Sequence, residues 1–295
     1  MDIFWYYDKQ SSYSYHSHAI KNLIVNVEGL QNIAIADTYS FGRVLIIDGL
    51  IQSAEYDEFI YHESLVHPAM LAAEDPKRVL IIGAGEGATL REVLKYDVSE
   101  VVAVEIDKKV IEVAEKYLES WHRGAFKDPR VKLVFQDGFE FVKEYKGEPF
   151  DVVILDLTDP TEDSKSRNLY TLEFYKQIKR LVKDVVVTQA TSPYQSPHTF
   201  SKIVRTLMSV FNYVSVGLSF IPSFDTVWAF VFCSDKIDVK GINVKERLKR
   251  VKGELKYYDD VTHKNMFLLP KDVKKLIESE KSLVTLSTPV SIFGD

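Results

Sequence analysis

The stretch Arg78-Val-Leu-Ile-Ile-Gly-Ala-Gly-Glu-Gly-Ala88 decides the fold, because a glycine-rich turn follows directly on an apolar run. Residues 79–82 predict a buried strand, and a helix is expected to begin near Thr89. Gly83 and Gly85 let the backbone turn sharply and come close to a ligand. A strand, a glycine turn and a helix in this order are typical of a nucleotide-binding α/β unit.

An acid, Glu86, stands inside this turn and limits what can bind there. The spacing of Gly83, Gly85 and Ala88 nearly satisfies the dinucleotide fingerprint G-x-G-x-x-G/A. A pyrophosphate at the helix N-terminus would lie beside the Glu86 carboxylate, where like charges repel. An adenosyl ligand that lacks phosphate and carries a cationic tail fits better. S-adenosylmethionine, or a compound derived from it, is therefore favoured over a nicotinamide dinucleotide.

The composition indicates an ordinary globular protein of 295 residues, 46% hydrophobic, with a net charge of -6. The negative charge argues against nucleic acid and suits a cationic partner. The sequence has no run of about 18 apolar residues and no signal-peptide pattern, so we expect no membrane partner and a cytoplasmic location. The single cysteine, Cys233, excludes an internal disulfide and a cysteine-based zinc site, and no metal is expected. Low Asn and Gln content favours a thermophilic source.

The N-terminal part of the chain alternates short β-rich runs with turn signals. Runs at residues 22–27, 31–37, 44–47 and 51–54 predict a small antiparallel sheet. A helix is predicted at residues 57–73, after which strand and helix signals alternate. These signals predict an N-terminal β-strand domain at residues 1–55 and a catalytic domain at residues 56–295.

The second part predicts seven strands. They are expected at residues 78–82, 101–105, 131–135, 151–155, 184–189, 213–220 and 227–233. Alternating strands and helices imply a parallel sheet covered on both faces, and the final hairpin makes the last strand antiparallel. The fold class is therefore α/β, a seven-stranded methyltransferase-type (Rossmann-like) doubly wound sheet with a small N-terminal antiparallel β domain.

Carboxylates follow three successive predicted strands, at the sheet edge where ligands bind in doubly wound folds. Glu105 ends the second strand, where an acid would accept hydrogen bonds from two ribose hydroxyls. Asp137 follows the third strand and could accept from an adenine amino group. Asp156 ends the fourth strand, and Asp159 comes three residues later. Together with Glu86, these acids predict a crevice lined by carboxylates.

Each of these residues also has a structural interpretation. One acid at a strand end could cap a helix or lie in a solvated loop, and Asp159 could form a turn before Pro160. Tyr61 and His62 could be a core tyrosine and a capping histidine. Acids at three successive strand ends are much harder to attribute to capping alone.

The chain resembles the polyamine aminopropyltransferases, the spermidine synthase family, over residues 31–270. Ten motifs carry the resemblance in order and spacing: LIIDGLIQS (45–53), DEFIYHE (57–63), GAGEG (83–87), VEID (104–107), QDGFEF (136–141), DLTDP (156–160), LY (169–170), EFY (173–175), LKYY (255–258) and FLLP (267–270).

Within this family the chain is most similar to the thermospermine synthases. It shares with them the motif YHESLVHPA at residues 61–69 and a Glu, not an Asp, at position 86. Phe224 stands where typical spermidine synthases have a tyrosine, which removes a hydroxyl from the amine pocket. Residues 161–165 also depart from the Gly-Pro-Ala lid segment of many relatives.

The resemblance implies an enzyme that moves an aminopropyl group from decarboxylated S-adenosylmethionine to a polyamine and releases 5'-methylthioadenosine. The implied acceptor is spermidine, giving thermospermine, and a diamine-accepting enzyme of the spermidine synthase type is the alternative. The donor is a co-substrate, and no cofactor is expected to be bound permanently. Relatives imply a homodimer or homotetramer.

Two other classes of protein share this fold. A methyltransferase must accept the carboxylate of S-adenosylmethionine, which Glu86 would repel. A non-catalytic polyamine sensor would not need Asp156 and Asp159.

The resemblance also assigns roles to residues. Asp156 is expected to take the proton of the attacking amine, and Glu86 to pair with the ammonium of the donor. The nucleoside is expected to be held by Gln31, Gln52, Gly83, Gly85, Glu105, Asp137 and Gly138. The acceptor is expected to contact Tyr61, His62, Asp156, Asp159, Gln189 and Phe224, with its far ammonium at Asp225 or Asp163.

Overall fold

A computed structural model describes residues 3–294, which contain two β-sheets. The N-terminal sheet is antiparallel, with its strands in chain order: β1 (Phe4–Lys9), β2 (Tyr15–Glu28), β3 (Asn32–Thr38), β4 (Arg43–Ile47) and β5 (Leu50–Ala54). The sequence does not predict β1, and β2 begins seven residues earlier than expected. Phe4, Trp5 and Tyr7 are all more than half exposed, so β1 lacks the alternation of buried and exposed side chains that indicates a strand.

The second sheet has seven strands: β6 (Arg78–Ile82), β7 (Glu100–Glu105), β8 (Val131–Phe135), β9 (Phe150–Leu155), β10 (Val182–Gln189), β11 (Tyr213–Ile221) and β12 (Thr226–Ser234). Their order is β11-β12-β10-β9-β6-β7-β8. Strand β12 is antiparallel to β10 and β11, and the other pairings are parallel. The predicted fold class is confirmed.

The helices occupy both faces of this sheet. They are α1 (Glu58–Ala72), α2 (Ala88–Val93), α3 (Lys108–Tyr117), α4 (Glu119–His122), α5 (Gly138–Glu144), α6 (Leu172–Leu181), α7 (Pro197–Met208), α8 (Val244–Arg247), α9 (Asp260–Met266) and α10 (Lys271–Ser279). Within residues 3–294, none of them is long and apolar enough to cross a membrane.

Helix α1 is buried on nearly every side, against α2 and strands β9 to β12. Asp57, just before it, accepts hydrogen bonds from the backbone N–H (2.6 Å) and hydroxyl (3.0 Å) of Ser223. These bonds join the start of α1 to the turn that carries Phe224. One buried cluster contains both Ile35 of the first sheet and Val79 of the second, so the two parts share a core, and the boundary at residue 55 stays a prediction.

The strand order creates a crevice beside β6. The chain runs from β6 through β7 to β8 and then returns to β9 on the other side of β6, so the ends of β6 and β9 border a switch point where ligands bind. Gly83 follows β6 with a φ of +87°, and a Cβ there would lie 1.9 Å from the carbonyl oxygen of Asp156. Only glycine lets the two strand ends come this close.

Candidate active site

Two adjoining cavities open at this switch point. The large cavity, of about 210 Å³, lies over the ends of β6 to β9. The small cavity, of about 40 Å³, lies between the N-terminal sheet and the loop after β9. Gln52, Tyr61 and Leu157 line both, so the two cavities meet at these side chains.

Every site residue predicted from the sequence lines one of these cavities, except Asp225, which lines neither. The large cavity is lined by the expected nucleoside residues Gln31, Gln52, Gly83, Gly85, Glu105, Asp137 and Gly138, together with Glu86, Asp156, Tyr61 and His62. The small cavity is lined by Asp159, Gln189 and Phe224 and again by Tyr61 and Gln52. His62 is expected beside the acceptor, but it lines the large cavity next to Glu86.

The acids at the ends of β7 and β8, Glu105 and Asp137, also accept hydrogen bonds from backbone N–H groups of the protein. Glu105 accepts hydrogen bonds from the backbone N–H of Gly85 and of Asp107, both at 3.0 Å. Asp137 caps α5 by accepting from the backbone N–H of Phe139 (2.8 Å) through Oδ1. The helix-cap interpretation of Asp137 is therefore correct, and it leaves Oδ2 available to a ligand in the cavity.

Asp156 lines the large cavity and is hydrogen-bonded to Tyr61, which lines both cavities. Its Oδ1 accepts a hydrogen bond from the Tyr61 hydroxyl (3.0 Å) and its Oδ2 accepts one from the Thr89 hydroxyl (2.6 Å). Burial raises the pKa of Asp156 to about 6, and the nearby charge of Glu86 adds to the effect while that of His62 opposes it. A carboxylate with a pKa in this range can take a proton from a bound group near neutral pH.

A chain of buried charges begins at Glu86. Its Oε1 lies 3.0 Å from His62 Nε2, and His62 Nδ1 lies 3.1 Å from Glu58 Oε2. Arg91 contacts both Glu58 oxygens, at 3.0 and 2.9 Å, and also Glu92 at 2.8 Å. Burial alone would lower the pKa of His62, but the hydrogen bonds to Glu58 and Glu86 outweigh it and raise that pKa well above its ordinary value. Glu86 therefore faces a protonated imidazole.

The carboxylates of the small cavity have only neutral hydrogen-bond donors among the described residues. Asp159 accepts from the amide of Gln189 (3.2 Å), and Asp8 accepts from the amide of Gln10 (2.8 Å). Burial raises the pKa of Asp159 to about 7. Burial, assisted by the negative charge of Asp159, likewise raises the pKa of Asp8 to about 7. A cation that entered this cavity would convert both acids to carboxylates.

The amide of Gln189 is occupied by the protein. Besides Asp159, its Nε2 donates to the carbonyl of Leu157 (2.9 Å) and to the hydroxyl of Tyr170 (2.6 Å). Its Oε1 accepts from the backbone N–H of Thr191 (2.8 Å). The two N–H groups of Gln189 are thus shared among three acceptors of the protein, one of which is Asp159, so Gln189 orients that acid.

Aromatic rings form the apolar side of the small cavity. Phe224 packs edge-to-face against Tyr61 and Trp228, with ring centroids 6.2 and 4.9 Å apart. Phe224 is 8% exposed. These rings give the cavity a surface suited to methylene groups.

The lining or bonding residues that sequence reasoning missed include Asp8, Lys9, Thr89 and Ile292. Its position directly after the aromatic run at residues 4–7 is the one signal that could have identified Asp8. Of the two acids expected at the far end of an acceptor, Asp163 lines the large cavity, and Asp225 is 74% exposed beside His16. Asp8, in contrast, lines the small cavity together with Asp159.

Comparisons with known proteins agree with this geometry. Two family models match the chain. The model of the spermine/spermidine synthase domain matches residues 58–245, and that of the spermidine synthase tetramerisation domain matches residues 4–55. A polyamine aminopropyltransferase of Sulfurisphaera tokodaii is 46% identical over 98% of both chains, and one of Sulfolobus acidocaldarius is 45% identical over 97% of both.

Solved structures agree as well. A spermidine synthase crystallised with the transition-state analogue AdoDATO superposes with a TM-score of 0.89 and 36% identity, over 94% of this chain and 96% of the other. The spermidine synthase of Thermotoga maritima has a TM-score of 0.86 and 34% identity, over 94% and 95%.

Proposed function

The chain belongs to the spermine/spermidine synthase family of aminopropyltransferases, and we propose that its acceptor is a triamine such as spermidine, which would give thermospermine. The enzyme moves the aminopropyl group of decarboxylated S-adenosylmethionine to a polyamine and releases 5'-methylthioadenosine. The tetramerisation domain supports a homo-oligomer. A cytoplasmic location is part of the proposal. The observation that carries the proposed reaction is that two acid-lined cavities meet at Tyr61, whose hydroxyl donates a hydrogen bond to Asp156.

The large cavity suits the donor. Glu105 and Asp137 offer acceptor oxygens to the ribose hydroxyls and the adenine amino group, and Gln31 and Gln52 complete the nucleoside site. Glu86 would pair with the ammonium at the end of the aminopropyl arm. The same carboxylate would repel the carboxylate of ordinary S-adenosylmethionine, which disfavours methyl transfer.

Asp156 is the proposed proton acceptor. The acceptor amine enters as an ammonium and must lose a proton before it can attack. Its nitrogen then forms a bond to the carbon next to the sulfonium, the carbon–sulfur bond breaks, and that electron pair stays on sulfur. Asp156 takes the proton, and Tyr61 and Thr89 hold the carboxylate in place.

The small cavity suits the rest of the acceptor. Asp159 and Asp8 would each face an ammonium, while Phe224 and Trp228 would contact the methylenes between them. Phe224 offers no hydroxyl to the far amine of a short diamine. Each buried methylene contributes about 0.8 kcal/mol, so an additional aminopropyl arm can outweigh a lost neutral hydrogen bond of about 1 kcal/mol.

A diamine acceptor is the second candidate, and the size of the small cavity favours it. At about 40 Å³ the cavity has room for a few water molecules only, so a triamine can enter only if part of the wall moves.

The test is to incubate the protein with decarboxylated S-adenosylmethionine and each of putrescine, agmatine, 1,3-diaminopropane and spermidine, and to identify products by mass and retention. We expect thermospermine from spermidine as the fastest product and slower reactions with diamines. A preference for putrescine of about tenfold or more in kcat/KM would refute the triamine proposal and leave a diamine enzyme.

A further inference from the structure

The C-terminal tail, residues 291–294, is fastened over the small cavity by three separate parts of the chain. The backbone N–H of Ile292 donates to the carbonyl of Pro160 (2.9 Å), in the loop after β9. The carbonyl of Phe293 accepts from the Ser12 hydroxyl (2.7 Å), in the turn after β1. The carbonyl of Ser291 accepts from the Thr199 hydroxyl (3.1 Å) in α7.

The tail contributes a side chain to the cavity itself. Ile292 is 5% exposed and lines the small cavity but not the large one. It therefore belongs to the wall that lies away from the donor. This wall includes Asp8 and Lys9 of β1, so strand and tail enclose that end of the cavity together.

Lys9 is the unexpected member of this wall. It is the one basic side chain among the described residues that line the cavity, whose other charged groups are the carboxylates of Asp8 and Asp159. An ammonium free to turn inwards would repel a cationic acceptor and compete with it for Asp8 and Asp159. In the structure its Nζ lies instead over the ring of Phe293, 4.3 Å from the centroid. A cation over an aromatic face is stabilised there.

We propose that the C-terminal tail determines acceptor specificity: Ile292 limits the length of amine that the small cavity admits, and Phe293 holds the Lys9 ammonium away from the acceptor. Phe293 touches no reacting atom in this scheme and acts as a positioning residue through Lys9. The inference rests on the proposed function, since it takes the small cavity as the acceptor site. The wall that must move to admit a triamine is then this tail, which is held by the three hydrogen bonds, the Phe293 contact and the burial of Ile292.

The experiment measures acceptor KM, donor KM and kcat for the natural enzyme and for Phe293→Ala, Lys9→Met and the double variant. We expect Phe293→Ala to raise acceptor KM by about tenfold, because Lys9 is released next to an approaching ammonium. Donor KM should not change. Lys9→Met in the Phe293→Ala background should return acceptor KM to within about threefold of the natural value.

A second arm tests the length limit. Ile292→Ala should raise the triamine-to-diamine ratio of kcat/KM by about fourfold, the equivalent of one buried methylene. Leu286→Ala is the matched control, since Leu286 precedes the tail in the chain, is 46% exposed and does not line either cavity. It should leave the ratio unchanged.

Acceptor binding to the enzyme with bound 5'-methylthioadenosine, measured by calorimetry, gives the same comparisons without turnover. An absence of aminopropyl transfer would therefore count against the proposed function and leave this test intact. An unchanged acceptor affinity in Phe293→Ala, or no rescue by Lys9→Met, would overturn the role of Phe293. If the tail variants lost the same factor in affinity for every amine and also unfolded at a lower temperature, the tail would merely stabilise the fold.

Discussion

The large and small cavities are both lined by acids, but the protein balances those acids differently. In the large cavity Glu86 faces a protonated His62, and Glu105 accepts two backbone N–H groups. In the small cavity Asp8 and Asp159 have neutral amide donors and pKa values of about 7. Glu86 is therefore paired before a ligand arrives, and Asp156 is the acid of the large cavity that can exchange a proton near neutral pH, whereas both acids of the small cavity lose their protons as a cation enters.

This difference suits the two substrates. A donor with one fixed sulfonium can be recognised by a preorganised arrangement of charges, which costs little reorganisation at the moment of reaction. An acceptor that arrives as a polycation and must lose a proton suits acids that exchange protons near neutral pH. The comparison predicts that changes in the large cavity affect rate, stability and donor selectivity, and that those in the small cavity affect acceptor affinity and its pH dependence.

The largest effect is expected from Asp156→Asn. The amide keeps the shape of the side chain but cannot take a proton, so kcat should fall by about a hundred- to ten-thousand-fold. Donor affinity should change far less. The exposed Asp225→Asn is the control for the same change of charge. Near-normal turnover of Asp156→Asn at neutral pH would require another base.

Arg91→Leu should destabilise the protein by about 3–5 kcal/mol, because it leaves Glu58 as an unbalanced buried charge. Burial alone would raise the pKa of Glu58, but hydrogen bonds and charges from His62 and Arg91 lower it to about 2. Its contribution to stability is thus present at neutral pH and is lost as pH falls from about 4.3 towards 2.

Urea unfolding at pH 7 measures the effect of Arg91→Leu. Lys108→Ala, which breaks the exposed pair with Glu112, should cost at most about 1 kcal/mol. If both variants lowered the free energy of unfolding equally, the buried chain of charges would not stabilise the fold around the large cavity.

Glu86→Gln should weaken donor binding by about 1.5–3 kcal/mol, the value of a charge-assisted hydrogen bond. It also removes one of the two carboxylates that raise the pKa of His62. Release of 5'-methylthioadenosine from decarboxylated and ordinary S-adenosylmethionine should become more nearly equal. Turnover of both donors at equal rates by the natural protein would contradict the proposed role of Glu86.

Acceptor affinity should increase by up to about tenfold as pH rises from 6 to 7, while donor affinity changes less. Asp8 and Asp159 have raised pKa values, so they are protonated below about 7 and must ionise to bind an ammonium. Binding should therefore release protons, which calorimetry in two buffers of different ionisation enthalpy detects. Asp8→Asn should reduce the number released, and an unchanged number would exclude Asp8 from the acceptor site.

The smallest effect is expected from Phe224→Tyr, which restores a hydroxyl worth about 1 kcal/mol to the amine site. The ratio of kcat/KM for putrescine over spermidine should rise by about fivefold. The exposed Phe220→Tyr serves as the control for an added hydroxyl. If the ratio stays the same, Phe224 does not discriminate between amines.

The sequence by itself determined the fold class and the positions of the second sheet's strands. Apolar runs bounded by turn residues mark β6 to β10, and the acids directly after β7 and β9 lie at the sheet edge because parallel strands end there. The glycine at position 83 and the acid at position 86 identified the switch point. These features are local, so a pattern along the chain records them.

Only the tertiary structure decided how the acids are balanced and what encloses the small cavity. His62 belongs to the large cavity because α1 turns it towards Glu86, and nothing in its local sequence carries that orientation. Asp8 and Ile292 lie almost at opposite ends of the chain and meet at one wall. The pKa of Asp8 and the contacts of Ile292 depend on burial by distant segments, and burial is a property of the folded packing that spacing along the chain does not contain.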